Sequence, residues 1–252
     1  MRTLYFLLVV TFLIAYTFYK SFELLPSQPL LALVLAVTVF AVMLAGMFVY
    51  RSRPQVFNQL WFKALTWTAS ISMALWATYI IISFPFDALY LLAWGAGQAH
   101  GFSIVTPALL LVSILLTAIG FFGAITGPTT KRTDVTIDNL APALEGLRIV
   151  QISDLHIGVT IRKKYVEEVV RRTNALNPDL IVLTGDIVDA HPSSIDEGLK
   201  PLVQLQAKYG AFYVTGNHEY YWNAPEIIRK IENTGIVALL NSNQTFTIGD
   251  MQ

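Results

Sequence analysis

The sequence predicts a membrane region of four helices followed by a water-facing α/β domain, and three observations carry that prediction. Charge is unequally shared: of 17 Lys and Arg residues only Arg2, Lys20, Arg51, Arg53 and Lys63 precede residue 131, and of 17 Asp and Glu residues only Glu23 and Asp87 do. Before residue 131 the apolar residues run in stretches of membrane-crossing length. After it, short apolar runs alternate with stretches of helical pattern, the signature of strands and helices in turn. The chain as a whole, 252 residues with 54% apolar and 13% charged residues and a mean hydropathy of +0.55, is too apolar for an ordinary soluble protein. Its balanced charge offers no bulk attraction to phosphate backbones, so no nucleic-acid partner is expected. The absence of cysteine excludes disulfide scaffolds, thiolate metal sites and cysteine nucleophiles.

A helix rises about 1.5 Å per residue and needs about 20 residues to cross about 30 Å of hydrocarbon. Four charge-free runs meet this length approximately, at Thr3–Tyr19, Leu30–Tyr50, Ala64–Phe84 and Ile104–Thr126. The first reads as a retained anchor rather than a cleaved signal, because no small-x-small site stands before Lys20. Pro54–Lys63 reads equally well as a loop or a short interfacial helix. None of the four runs holds an ionisable side chain, which favours an anchor over an ion pathway. Basic residues stay on the cytoplasmic side. Arg51, Arg53 and Lys63 after the second run, with Lys131 and Arg132 after the fourth, therefore put both ends of the chain in the cytoplasm. The expected location is the cell membrane, with several passes through lipid.

Residues 127–146 read as a connector with one short strand, Asp134–Ile137, and a new domain runs over 147–252. Its apolar runs LRIVQIS, LIVLTG and AFYVTG alternate with helices near Arg162–Leu176, Ile195–Lys208 and Ala224–Asn233. Two more strands are expected at Val237–Leu240 and Thr245–Ile248. Alternation of this kind implies parallel strands buried on both faces. The first three strands end in Ser153-Asp154-Leu155-His156, Gly185-Asp186-Ile187-Val188-Asp189 and Gly216-Asn217-His218-Glu219. In an open parallel sheet, ligands gather beyond the carboxyl ends of the strands, so these three loops should converge. Their oxygen and imidazole donors, with no sulfur, suit Mn²⁺, Fe or Zn²⁺. Each element alone is weak, since Asp-x-His is a common turn and Gly-Asp a common helix cap. Three in order, each at the end of its own strand, point to one site.

In these blocks the sequence resembles the calcineurin-like metallophosphoesterases, in particular their membrane-associated bacterial members. The family pattern is Asp-x-His, Gly-Asp-x-x-Asp, Gly-Asn-His-Asp/Glu, a lone His, then Gly-His-x-His; the resemblance covers roughly residues 134–252. It implies a β-sandwich flanked by helices, two divalent metal ions, and hydrolysis of a phosphomonoester or phosphodiester. Anchoring adds membrane lipid to the surroundings and makes a lipid-linked phosphorylated substrate the expected partner. Carried over by position, Asp154 and His156 bind one metal, Asp186 bridges both, Asn217 binds the second, and His218 is the acid facing the leaving group. Asp189 and Glu219 orient these ligands or cap the helices that follow; the sequence leaves both roles open. No histidine follows His218, so three expected ligands are missing. This is expected of a chain truncated at its carboxyl end, and the activity of these 252 residues does not follow from the pattern. His100, expected across the membrane, and His191, ahead of Pro192, do not replace them. The competing reading is a non-catalytic membrane protein whose incomplete module binds a phosphorylated ligand. Arg162-Lys163-Lys164 could meet a phosphate or form a solvated helix face, and Tyr220-Tyr221-Trp222 could line a substrate groove or pack in the core.

Overall fold

The structure, a computed structural model, describes residues 2–51, 59–95 and 105–248. The chain divides into two compact units, Met1–Thr126 and Gly127–Gln252.

The first unit holds four helices among the described residues: α1 (Arg2–Leu24), α2 (Pro29–Arg51), α3 (Leu60–Gly95) and α4 (Val105–Ile125). Three of them, over Pro29–Gly46, Leu60–Leu92 and Val105–Ala124, are long and apolar enough to cross a membrane. The remaining expected span, Thr3–Tyr19, falls partly on side chains outside the described residues, as do the first half of Pro54–Lys63, whose second half leads into α3, and all of His100. Small residues let α2 and α3 approach closely: Ala32, Ala36 and Ala69 are buried, and a Cβ on Gly46 would stand 2.7 Å from Met73 Sδ.

Two expectations for this unit need correction. The third span is expected to end at Phe84, with Asp87 in the loop that follows; instead α3 continues through Pro85 and Asp87 to Gly95. In an apolar setting, leaving the helix exposes more backbone groups than the single bond a proline removes, so the helix continues. The helices, unlike the predicted runs, also carry charge. Lys20 is fully buried, with Nζ 2.6 Å from both Glu23 and Asp87. Tyr16 donates its hydroxyl to the other oxygen of Asp87, and Thr106 donates to Glu23 at 2.6 Å. The cluster ties α1 to α3 and α4, with one buried cation held between two partly buried carboxylates.

In the second unit a four-stranded parallel sheet has the order β1-β3-β5-β6, with β1 at Ile149–Ile152, β3 at Leu180–Thr184, β5 at Ala211–Val214 and β6 at Val237–Ala238. A two-stranded parallel ladder pairs β2 (Ile157–Gly158) with β4 (Val188–Asp189). Helices α5 (Lys163–Ala175), α6 (Asp196–Leu199), α7 (Asn217–Tyr221) and α8 (Ala224–Glu232) complete the unit. Period-two alternation sorts the strands: Ile152, Ile181, Leu183 and Tyr213 pack into one core with Val166 and Val170 of α5 and Ile227 and Ile231 of α8.

The opposite face departs from the two-sided burial expected, because Ile149, Val214 and Val237 are exposed there. Phe246 packs on that face against Phe212, with ring centroids 5.1 Å apart. Asp134–Ile137 is not a strand; Val135 and Ile137 stand exposed with no neighbouring strand to pair with among the described residues. The helix expected over Ile195–Lys208 shrinks to α6 and a 3₁₀ turn at Lys200–Gln204, since Pro201 lacks the N–H a continuing α-helix requires. Thr245–Ile248 contributes a single bridge residue, Ile248, rather than a strand.

Candidate metal centre

The three polar loops leave β1, β3 and β5 at the same end of the sheet, as parallel register requires. Backbone bonds fasten the first loop to the second: Asp154 N–H donates to Gly185 O at 3.2 Å, His156 N–H to Asp186 O at 2.9 Å, and Ile157 N–H to Ile187 O at 2.8 Å. The third loop is fastened through side chains. Asp186 Oδ1 accepts the His218 N–H at 2.8 Å. The buried Glu219 carboxylate accepts N–H groups from Asp186 at 3.2 Å, Val188 at 3.0 Å and Gly216 at 2.7 Å.

That fastening holds a costly backbone. Asp154, His156 and Asp186 all take left-handed conformations, with φ of 55°, 49° and 52°. Each such residue costs on the order of 1–3 kcal/mol, and strain of this kind persists where surrounding bonds impose it, most often at functional sites. Close packing adds a demand on the glycines. A Cβ on Gly216 would overlap Asp186 Oδ1, and one on Gly185, where φ is +90°, would stand 2.7 Å from Gly216 N. Bare backbone at both positions lets the second and third loops touch.

The donor atoms of His156, Asp186 and His218 all lie within 4.8 Å of one another. The two imidazoles meet edge to face with centroids 4.5 Å apart. His156 Nδ1 is buried without a hydrogen-bond partner, which a nitrogen ligand awaiting a cation would be. Asp154 is the more exposed neighbour, with Oδ1 3.9 Å from His156 Nε2 and its other oxygen taken by the Ser153 hydroxyl. Asn217 is exposed on α7, its Nδ2 donating to Tyr221 Oη at 2.9 Å. Of the expected residues, His156, Asp186 and His218 form the tightest group and Asp154 stands at its edge beside His156, whereas Asn217 meets Tyr221 on α7. Oxygen and imidazole donors at this spacing fit a hard or borderline divalent cation.

Asp189 Oδ1 lies 3.0 Å from His218 Nδ1, off the line of the N–H, so the contact is an ion pair more than an aligned hydrogen bond. Asp189 raises the proton affinity of His218 above the ordinary histidine range, against a smaller opposing effect of burial. The indole of Trp222 donates to the same Asp189 oxygen at 3.2 Å and holds it in place. Neither Asp189 nor Glu219 caps the helix that follows it. Glu219 lies inside α7 and reaches back to the Gly216 N–H at its start, capping its own helix.

Sequence reasoning grouped Tyr220, Tyr221 and Trp222; the structure separates them. Tyr220 and Tyr221 are 65% and 67% exposed, whereas Trp222 packs on the core. The contact of Tyr221 with Asn217 was missed, although their i, i+4 spacing signals a shared helix face. Arg162 is half-buried at the start of α5, donating to Val159 O at 2.9 Å, and burial lowers its pKa. Lys163 faces Glu167 at 3.8 Å on the solvated side of α5. His191 is exposed and caps the turn at Pro192–Ser194 through Ser193, away from the cluster.

Residues 147–249 match the sequence profile of the calcineurin-like phosphoesterases. A bovine (Bos taurus) transmembrane protein with metallophosphoesterase domain is 37% identical over 142 residues, 54% of this chain and 32% of that protein. An uncharacterized metallophosphoesterase of Campylobacter jejuni is 30% identical over 137 residues, 54% of this chain and 36% of that protein. The UDP-2,3-diacylglucosamine pyrophosphatase LpxG of Chlamydia trachomatis is 44% identical over 78 residues, 31% of this chain and 24% of that protein. The chain thus spans about a third of the length of the curated relatives it matches. No solved structure matches it.

Proposed function

We propose, for a chain that carries a calcineurin-like phosphoesterase domain over residues 147–249, a membrane-anchored, metal-dependent hydrolase of phosphomonoesters or phosphodiesters. The observation that carries this reading is the gathering of His156, Asp186 and His218 donor atoms within 4.8 Å on a strained loop cluster beyond the sheet. Asp154, His156, Asp186 and Asn217 are assigned as ligands of two divalent ions, Mn²⁺, Fe or Zn²⁺, with Asp186 shared between them. Such ions, when bound, neutralise phosphate charge and make water acidic enough to attack at neutral pH.

The protein's own groups do the rest. His218 gives a proton to the departing oxygen, and Asp189 beside it strengthens the ring's hold on that proton until it is given up. The Asp186 carboxylate, fixed by the His218 N–H, cannot swing away when substrate charge arrives. Glu219 holds the loops of both residues from below. This arrangement spends its rigidity before substrate binds, which is what positioning requires.

The substrate class extends the proposal. Three apolar helices support membrane anchoring, as does the name of the bovine relative. The name of the Chlamydia trachomatis relative specifies a diacylated sugar nucleotide. Both favour a lipid-linked phosphoester presented at the bilayer surface, and the Lys and Arg residues near the span ends favour the cytoplasmic side for the domain. The test is cleavage of bis(p-nitrophenyl) phosphate by the detergent-solubilised chain. Turnover should require Mn²⁺, vanish with a chelator, return on adding Mn²⁺, and fall to background in Asp186→Asn. Equal turnover by wild type and Asp186→Asn overturns the assignment. Mn²⁺ binding lost in Asp186→Asn, with no turnover in either form, would mark a binding module instead.

A further inference from the structure

Helix α7 places Asn217 and Tyr221 on one face, and the Asn217 Nδ2 donates to Tyr221 Oη at 2.9 Å. The same phenol ring lies against His218, centroid to centroid 5.0 Å at 59°. One side chain therefore touches two residues of the site. Core packing does not account for its placement, because Tyr221 is 67% exposed. An asparagine amide has one oxygen with lone pairs and one NH₂ with none to give a metal. Only the oxygen can ligate, so the NH₂ has to be turned elsewhere and held there. In this chain the acceptor that holds it is the Tyr221 hydroxyl.

We infer that Tyr221 is a positioning residue of the metal centre: its hydroxyl fixes the Asn217 amide with Oδ1 free for a divalent cation, while its ring limits the rotation of His218. The inference rests on the metal-centre reading above. Without the hydroxyl, the amide flips freely between ligating and non-ligating orientations, and cation affinity drops by the population lost together with the order lost. Outer partners of metal ligands are worth about 10–100-fold in affinity, and the exposed position of this one sets the expectation at the lower end, about tenfold. The phenylalanine variant keeps the ring on His218, so the proton-donating side of the chemistry stays intact.

The experiment is Mn²⁺ titration of the detergent-solubilised chain, following free Mn²⁺ by electron paramagnetic resonance, with four variants. Tyr221→Phe should weaken one Mn²⁺ equivalent about tenfold. Asn217→Ala should weaken the same equivalent at least as much, and adding Tyr221→Phe to Asn217→Ala should change nothing further, since the phenol acts only through the amide. Asp186→Asn should abolish binding. If Asp186→Asn binds Mn²⁺ like the wild type, the metal-centre reading itself fails. If Asp186→Asn loses Mn²⁺ but Tyr221→Phe matches the wild type, or if the two substitutions add, the centre stands and the role of Tyr221 is overturned.

Discussion

The Glu219 carboxylate is fully buried and takes three backbone N–H groups, from Asp186, Val188 and Gly216, that the turning loops cannot offer to a neighbouring strand. Glu219→Gln puts an NH₂ where at least one of these donors points, and a buried donor left unpaired costs about 1–3 kcal/mol. For a domain of this size each kcal/mol moves the melting temperature by roughly 4–8 °C, so Glu219→Gln should melt clearly below the wild type in calorimetry; an unchanged midpoint would contradict the bonding described. Asp189 acts on chemistry rather than on the loops. It raises the His218 pKa, so the stabilisation of their pair is complete below the unfolded histidine value and is lost as pH rises through the folded one. A group that must be protonated to act shows the same sign in rate. Asp189→Asn should therefore move the alkaline limb of the pH–rate profile to lower pH and slow turnover about 10–100-fold, with the melting temperature lowered at acid pH, where the pair stabilises, and nearly unchanged at alkaline pH.

At the scale of elements, α1, α3 and α4 are joined by an ion cluster that no hydropathy reading would find. Lys20 and Asp87 are 67 residues apart, and each lies beyond the edge of a predicted span. Lys20→Met leaves Glu23 and Asp87 facing one another without their cation; breaking a buried pair from one side costs about 3–5 kcal/mol. Its melting temperature in detergent should fall, and adding Glu23→Gln and Asp87→Asn should recover most of the loss, because a neutral cluster needs no cation. Failure of the triple variant to recover would mean the cluster is held by shape rather than charge. The same contrast explains what was legible elsewhere. Strands β1, β3 and β5 announce themselves as short runs of Ile, Val and Leu, and the loops after them end in side chains with no reason to sit together except a ligand. The helix over Ile195–Lys208 misled because an apolar period says nothing of the N–H that Pro201 lacks. Asp134–Ile137 misled because β-branched residues make a strand only beside a partner. Glu219 and Tyr221 were readable as motif and aromatic, but not by role, since their partners are set by backbone turns about 30 residues upstream or by an amide orientation.

For the whole molecule, the sidedness of the charges carries the expectation of which side of the membrane the proposed chemistry faces. Arg51 at the end of α2, Arg53, Lys63 at the start of α3, and Lys131 and Arg132 after α4 are the residues expected to be retained on one side of the membrane, and the sequence between α3 and α4 carries no Lys or Arg to oppose them. Each Lys or Arg near a span end adds to the same bias, so the orientation rests on five residues and not on any one. An alkaline phosphatase reporter, active only outside the cytoplasm, should be silent when fused after Lys131 and active when fused after residue 100. Replacing Arg51, Arg53 and Lys63 together with glutamine removes most of the bias and should raise the activity of the Lys131 fusion, whereas replacing one of them should not. A Lys131 fusion that is active in the unaltered chain would put the metal centre outside the cytoplasm. The lipid-linked substrate would then have to be sought on the opposite leaflet, while the chemistry argued for His218 and Asp186 would be untouched.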